Sequence, residues 1–181
     1  MATWIALLRG INVGGNSILP MAELRSDLDA LKFTNVRTYI QSGNVVFDSD
    51  ATSASELTER IGERIEERHG FRPRILIVSG ENLRDAVAAN PFPDAVAEPK
   101  TLHFSFLEQP ANDADLPALA DASSPSESYK LTDRVFYLHA PDGIGRSKLA
   151  AKAEKLLGVV ATGRNYRTVD RLMSMVAESQ A

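Results

Sequence analysis

The 181-residue chain sets 20 Lys and Arg against 24 Asp and Glu, a formal net charge of −4, with 44% hydrophobic and 24% charged residues. That composition fits an ordinary globular protein able to bury one large core or two small ones, and its acidic balance argues against broad nonspecific binding to nucleic acid or membrane. Zero cysteines exclude disulfides, thiol catalysis and thiolate metal sites. With neither a signal-peptide pattern nor an apolar run of membrane-spanning length, the cytoplasm is the expected location.

An apolar strand, Trp4 to Leu8, opens the chain and runs into Arg9-Gly10-Ile11-Asn12-Val13-Gly14-Gly15-Asn16, with a helix opening at Pro20. Met21, Leu24, Leu28 and Leu31 recur at helical spacing, which lays this helix across a sheet. Val36 to Ile40 and Val45 to Phe47 are β-rich runs on either side of Gln41-Ser42-Gly43-Asn44, the pattern of a hairpin. Ser53 and Glu56 have capping-box spacing for a second helix with a core stripe of Leu57, Ile61 and Ile65. Gly70 ends that helix, and Arg74 to Val78 reads as another strand. The order strand, helix, strand, strand, helix, strand is that of a ferredoxin-like unit.

A short helix from Glu81 to Ala89 stops at Asn90-Pro91, and the stretch Asn90 to Lys100, rich in proline, reads as a connector. Thr101 to Leu107 alternates as a strand, with Leu102, Phe104 and Phe106 on one face. Asp113 to Ala122 reads as a helix, and Ser128 to Leu131 with Val135 to Leu138 as a hairpin. Ser147 to Leu157 reads as a helix burying Leu149, Ala153 and Leu156, followed by a short last strand at Val159 to Thr162. A final helix from near Asn165 buries Val169, Leu172, Met173 and Val176. The second half thus repeats the plan in element order, without a residue-level repeat. The expected architecture is α+β: two tandem ferredoxin-like (βαββαβ) halves, residues 1–79 and 101–181. Helices cover their antiparallel sheets, a helix and connector at 80–100 join them, and a C-terminal helix follows.

Four stretches carry a family likeness: Ala6-Leu-Leu-Arg-Gly-Ile-Asn-Val-Gly-Gly, Val36-Arg-Thr-Tyr-Ile-Gln-Ser-Gly-Asn-Val-Val-Phe, Gly143-Ile-Gly-Arg-Ser-Lys-Leu and Thr162-Gly-Arg-Asn-Tyr-Arg-Thr-Val. In content and order they resemble the signature stretches of domain-of-unknown-function family 1697. The resemblance implies a bacterial-type cytosolic protein with two tandem ferredoxin-like halves, and it brings no established activity. The chain departs from the family pattern at Asn165-Tyr166, where the pattern places Asn-Trp before the final Arg-Thr-Val; an aromatic is retained.

Each of these stretches sets small residues beside donors at a strand end, a hairpin turn or a helix start. The candidate donors are Arg9, Asn12, Ser42, Asn44, Arg146, Ser147, Lys148, Arg164, Asn165 and Arg167. Gly10, Gly14, Gly15, Gly43 and Gly145 would let the backbone approach a ligand. If they converge, they form a cationic, donor-rich pocket for a phosphorylated or carboxylated small molecule. The alternative is architectural: glycines serving tight turns, Ser147 and Asn165 capping helices, arginines pairing with surface carboxylates.

Other chemistry is sparse. A phosphate loop needs Lys where Asn16 stands, and Pro20 delays the helix. No metal-ligand spacing is present, and no cofactor is expected. His69 ends the second helix, where stabilising a C-terminus is the simple account. His103 and His139 sit on strands, and if those strands are neighbours the two could share a surface and act as acid and base; the plainer reading is that both are satisfied sheet residues. Tyr39, Phe47, Phe104, Phe106, Phe136 and Tyr137 raise a less favoured reading, single-stranded RNA stacked on an open sheet, which needs those rings exposed. A protein-interaction module without catalysis is the third reading. An enzyme is distinguished from a binding module by a titratable group of perturbed pKa within reach of the pocket. No membrane partner is expected, and oligomeric state is not legible in the residues.

Overall fold

The computed structural model describes Met1–Ser179. β1 (Ala2–Arg9), α1 (Met21–Ala30), β2 (Thr34–Tyr39), β3 (Asn44–Ser49), α2 (Ala54–His69) and β4 (Arg74–Ser79) form an antiparallel sheet of order β2-β3-β1-β4 with two helices. Alternation along β1 sends Ala6 and Leu8 to the helix-covered core with Leu24, Leu28, Phe47, Leu57, Ile61 and Ile77. The Ser53 hydroxyl accepts from Glu56 N–H at 3.2 Å to start α2, and Gly70, at φ 75°, closes it in the left-handed conformation.

α3 (Gly80–Ala88) and a 3₁₀ turn (Pro93–Ala97) follow. The plan then repeats through β5 (Leu102–Leu107), α4 (Leu116–Ala122), β6 (Ser128–Leu131), β7 (Val135–His139), a 3₁₀ turn at Ile144–Arg146, α5 (Lys148–Leu157) and β8 (Ala161–Asn165), in sheet order β6-β7-β5-β8. Relabelled within its own unit, this is the same strand order as the first sheet. Leu119, Phe136, Leu138, Leu149 and Leu157 make its helix-covered core. α6 (Tyr166–Ser179) ends the described chain. Among the described residues no helix is long and apolar enough to cross a membrane.

The chain divides into two compact units, Met1–Asp85 with the residues from Arg171 on, and Ala86–Asp170. A division at 79 and 101 is expected from element order, but the later turns of α6 join the first unit. There Met175 and Val176 are buried, and the Arg37 guanidinium donates to Met175 O at 2.7 Å and pairs with Glu178 at 3.0 Å. A Cβ on Gly80 would stand 3.0 Å from Val176 Cγ1, so α3 begins against the same helix.

Smaller departures have local causes. α4 starts at Leu116 because Asp115 caps it, its carboxylate accepting from Ala118 N–H at 3.0 Å. The last strand is Ala161–Asn165 rather than Val159 to Thr162: Gly163, Arg164 and Asn165 pair with Ser105, Phe104 and His103, an edge-strand role that apolar patterning does not reveal. Leu157 is buried in α5 in preference to Leu156, and Met175 in α6 in preference to Met173.

Candidate functional site

In the first unit, the Gly10–Ser17 and Gln41–Asn44 stretches meet at the end of the sheet where β1 finishes and β3 begins. Asn12 joins them: its amide nitrogen donates to Gln41 O at 2.8 Å and Leu19 O at 3.0 Å, while its amide oxygen accepts from Leu19 N–H at 2.8 Å. Val13 and Asn16 bridge across a tip in which Gly14 and Gly15 both have positive φ, as a tight primed turn requires. Asn44 is fully buried, and its amide nitrogen donates to Tyr39 O at 3.1 Å and to the Ser42 hydroxyl at 3.0 Å. Gly43 N–Cα–C packs so closely that an added Cβ would lie 2.6 Å from Leu8 Cβ. Both amides thus bond the chain itself, one locking a loop and the other a buried turn. Arg9 stands opposite Arg74 across the β1–β4 pair, so two cations share one face at this end. Gly10 has φ 71° and open space beside it.

In the second unit, the register carries the other two stretches to one end of the sheet. β7 ends opposite the start of β5 (His139 with Leu102), and β8 ends there too (Asn165 with His103). The Ile144–Arg146 turn, which includes Gly145, follows from that end into α5, and α6 starts from it. The Ser147 hydroxyl accepts from Ala150 N–H at 2.9 Å, and the Asn165 amide oxygen accepts from Thr168 N–H at 3.0 Å. Both are helix caps, as the architectural reading holds. Arg164 donates to Gly163 O at 2.8 Å. Arg146 and Lys148 are exposed.

Arg167, one of the set, lines a hollow here. Its neighbours in that hollow are Lys100, Thr101, Pro99 and Glu98, around a volume of roughly 430 Å³. The wall is fixed by backbone bonds: Tyr166 N–H to Pro99 O at 3.1 Å, Thr101 N–H to Glu98 O at 2.9 Å, and Ala140 N–H to Thr101 O at 2.8 Å. Among the described residues the side chains of Lys100 and Arg167 have no hydrogen-bond or ion-pair partner. Lys100 carries no sequence signal, because it ends a proline-rich connector; only the long-range pairing of the connector with the start of α6 brings it beside Arg167.

Two titratable groups adjoin this hollow. His103 is 9% exposed and its Nε2 has no hydrogen-bond partner among the described residues; burial pushes its pKa below the ordinary value, opposed by a hydrogen bond with the Lys100 backbone. Burial raises the Tyr166 phenol, and Asp170 adds to the rise. The strands of His103 and His139 are neighbours, but the two histidines do not share a face. His103 pairs with Leu138 and His139 with Leu102, so the two imidazoles project from opposite faces of adjacent strands. Phe47, Phe104, Phe106, Phe136 and Tyr137 are all buried, so those five rings offer no open stacking surface.

Two antiparallel sheets of one strand order, each with its own helices, define a tandem ferredoxin-like α+β protein. The chain belongs to the DUF1697 family, described as a protein of unknown function, whose model matches residues 1–137. That span holds the Ala6–Gly15 and Val36–Phe47 stretches, and the two later stretches lie beyond it. Among solved structures the chain is similar to a conserved bacterial protein, SP0830, from Streptococcus pneumoniae. The identity is 24%, with 97% of this chain and 98% of that chain covered at a TM-score of 0.73, a likeness of fold. No curated protein matches.

Proposed function

We propose that this protein binds an anionic small molecule, phosphorylated or carboxylated, in the hollow at the start of α6. The observation that carries the reading is that two basic residues from separate elements, Lys100 and Arg167, border one hollow whose wall is tied by backbone hydrogen bonds, with no side-chain partner for either among the described residues. Arg presents a planar fork to a carboxylate or phosphate and Lys a mobile point charge, so the pair matches an anion of either geometry. The N-terminal end of the 14-residue α6 adds its positive dipole end to the same place. Volumes of about 300–1,000 Å³ are usual for small-molecule sites, and this hollow falls within that range.

Thermal unfolding with ribose 5-phosphate, inorganic phosphate and citrate, on the native chain and on Arg167→Gln, tests the reading. A ligand at a hundred times its dissociation constant stabilises by about 2.7 kcal/mol. The native chain is expected to gain that stability with at least one anion and Arg167→Gln to lose most of it. No gain with any of the three discards the site.

A further inference from the structure

The hollow just described has a neighbour. A second one, of roughly 390 Å³, is lined by Phe92, His139, three prolines, Asp94 and Glu98. Glu98 lines both hollows, so they adjoin across a single residue. The same strap, Pro91 to Thr101, supplies most of both walls. It is pinned along its length: Phe92 N–H donates to the Asn90 amide oxygen at 3.0 Å, Ala95 N–H to Phe92 O at 3.1 Å, and the Thr101 hydroxyl to Glu98 O at 2.8 Å. A strap stiffened by prolines and local bonds holds its shape before a ligand arrives, which lowers the ordering cost of binding.

The two hollows differ in chemistry. One is bordered by Lys100 and Arg167, whose exposed charged ends suit a phosphate at its rim. The other offers the rings of Phe92 and His139, whose centroids are 6.3 Å apart and whose planes are tilted by 36°, flanked by proline faces. Flat rings set among prolines take a flat heterocycle by stacking. Glu98, exposed and without a side-chain partner among the described residues, stands between the two ends. A carboxylate there accepts from hydroxyls, and Asp94 in the lining of the second hollow accepts from ring or exocyclic N–H groups. A ligand that is anionic at one end, hydroxylated in its middle and flat with N–H donors at the other is a nucleoside monophosphate.

We infer that the paired hollows along the Pro91–Thr101 strap form one site for a nucleoside monophosphate, with the phosphate at Lys100 and Arg167, the sugar beside Glu98 and the base on Phe92 and His139. This rests on the anion-binding reading above and names the ligand class for that same site. It also brings in Phe92 and His139, which none of the signature stretches contains.

Isothermal titration of the full chain with ribose 5-phosphate, adenosine and AMP separates the two claims. Stacking one base on an aromatic side chain contributes roughly five- to a hundredfold in affinity. AMP is expected to bind tighter than ribose 5-phosphate by that factor, and Phe92→Leu is expected to remove the advantage while leaving ribose 5-phosphate unchanged. His139→Ala, on the strand side of the slot, serves the same purpose if Phe92→Leu does not fold. Arg167→Gln is expected to weaken both phosphate compounds alike. Equal affinity for AMP and ribose 5-phosphate, or an advantage that survives both ring substitutions, overturns the base slot and leaves the anion hollow standing. Failure of both phosphates to bind overturns the nucleoside monophosphate, and the anion hollow falls with it only if inorganic phosphate and citrate also fail to stabilise the chain.

Discussion

The carboxylate of Asp27, fully buried on α1, lies 2.8 Å from Nε2 of His69 at the end of α2. Arg68 at 2.6 Å and Arg64 at 3.2 Å reach its other oxygen, and His69 Nδ1 faces Glu23 at 3.5 Å. One acid from the first helix thus ties down three basic groups of the second. A buried charge survives only when paired and hydrogen-bonded, and Asp27 meets that condition from both oxygens.

Removing that acid is expected to cost the first unit about 3 kcal/mol, at the lower end for a broken buried pair because Arg64 and Arg68 are about a third exposed and reach water. Urea unfolding of Asp27→Ala measures it. A loss under about 1 kcal/mol would show that α1 and α2 are held by apolar packing alone.

Asn12 and its three bonds invite a finer test. Its φ of 55° suits glycine, so Asn12→Gly deletes the side chain without adding backbone strain. The expected cost is about 1 to 3 kcal/mol. Hydrogen exchange is also expected to speed up at Leu19, whose N–H donates to the lost oxygen. Unchanged protection at Leu19 would mean that the loop is held elsewhere.

Gly43 and Gly14 both have positive φ but different surroundings. A methyl at Gly43 strikes Leu8 and Ile11, and one at Gly14 meets open space. Gly14→Ala is expected to cost about 1 kcal/mol from backbone strain alone, and Gly43→Ala about 3 kcal/mol or more once overpacking is added. Paired denaturation curves check the gap. Equal costs would remove the packing argument for Gly43.

Tyr137 gives an alkaline signature. Burial pushes its phenol up to about 12, and its hydroxyl donates to Ala86 O at 2.7 Å. The folded chain keeps this proton between pH 10 and 12 while the unfolded chain loses it. Stability is therefore complete below pH 10 and falls as pH rises toward 12, by on the order of 2–3 kcal/mol. Tyr137→Phe is expected to be less stable at pH 8 by about 1 kcal/mol and to lose that alkaline slope. Melting curves from pH 8 to 11 read both effects, and a slope that persists in Tyr137→Phe would assign it to another group.

His103 acts at the other end of the scale. Its folded pKa is lowered, so the unfolded chain takes up a proton first as pH falls through about 6.5. The stability it contributes is complete above that value and declines as pH drops toward the folded pKa, with a slope of at most about 1.4 kcal/mol per pH unit. His103→Leu is expected to flatten the melting temperature between pH 7 and 5. An unchanged slope would place the acid sensitivity elsewhere.

The fold was legible because each element carries its own period: the stripe of Leu57, Ile61 and Ile65, the cap at Ser53, and the hairpin around Gly43. Each half then closes in the strand order that such elements favour. The signature residues were legible as a set but not in their roles. Asn12 and Asn44 face inward because a loop with several positive φ angles needs its own amides to hold it. Asp27 reads as part of a polar helix face and is buried only because two arginines and a histidine of α2 meet it. Lys100 and Phe92 carry no motif, and long-range pairing alone turns a proline-rich connector into the wall of two hollows.

The most direct measurement is a nuclear magnetic resonance titration of the ¹⁵N-labelled chain with ribose 5-phosphate, following backbone amides. Saturable shifts largest at Lys100, Thr101 and Arg167 are predicted. Shifts confined to Gly10–Ser17, or none at saturating concentration, would contradict the assignment of the anion site to the hollow at the start of α6.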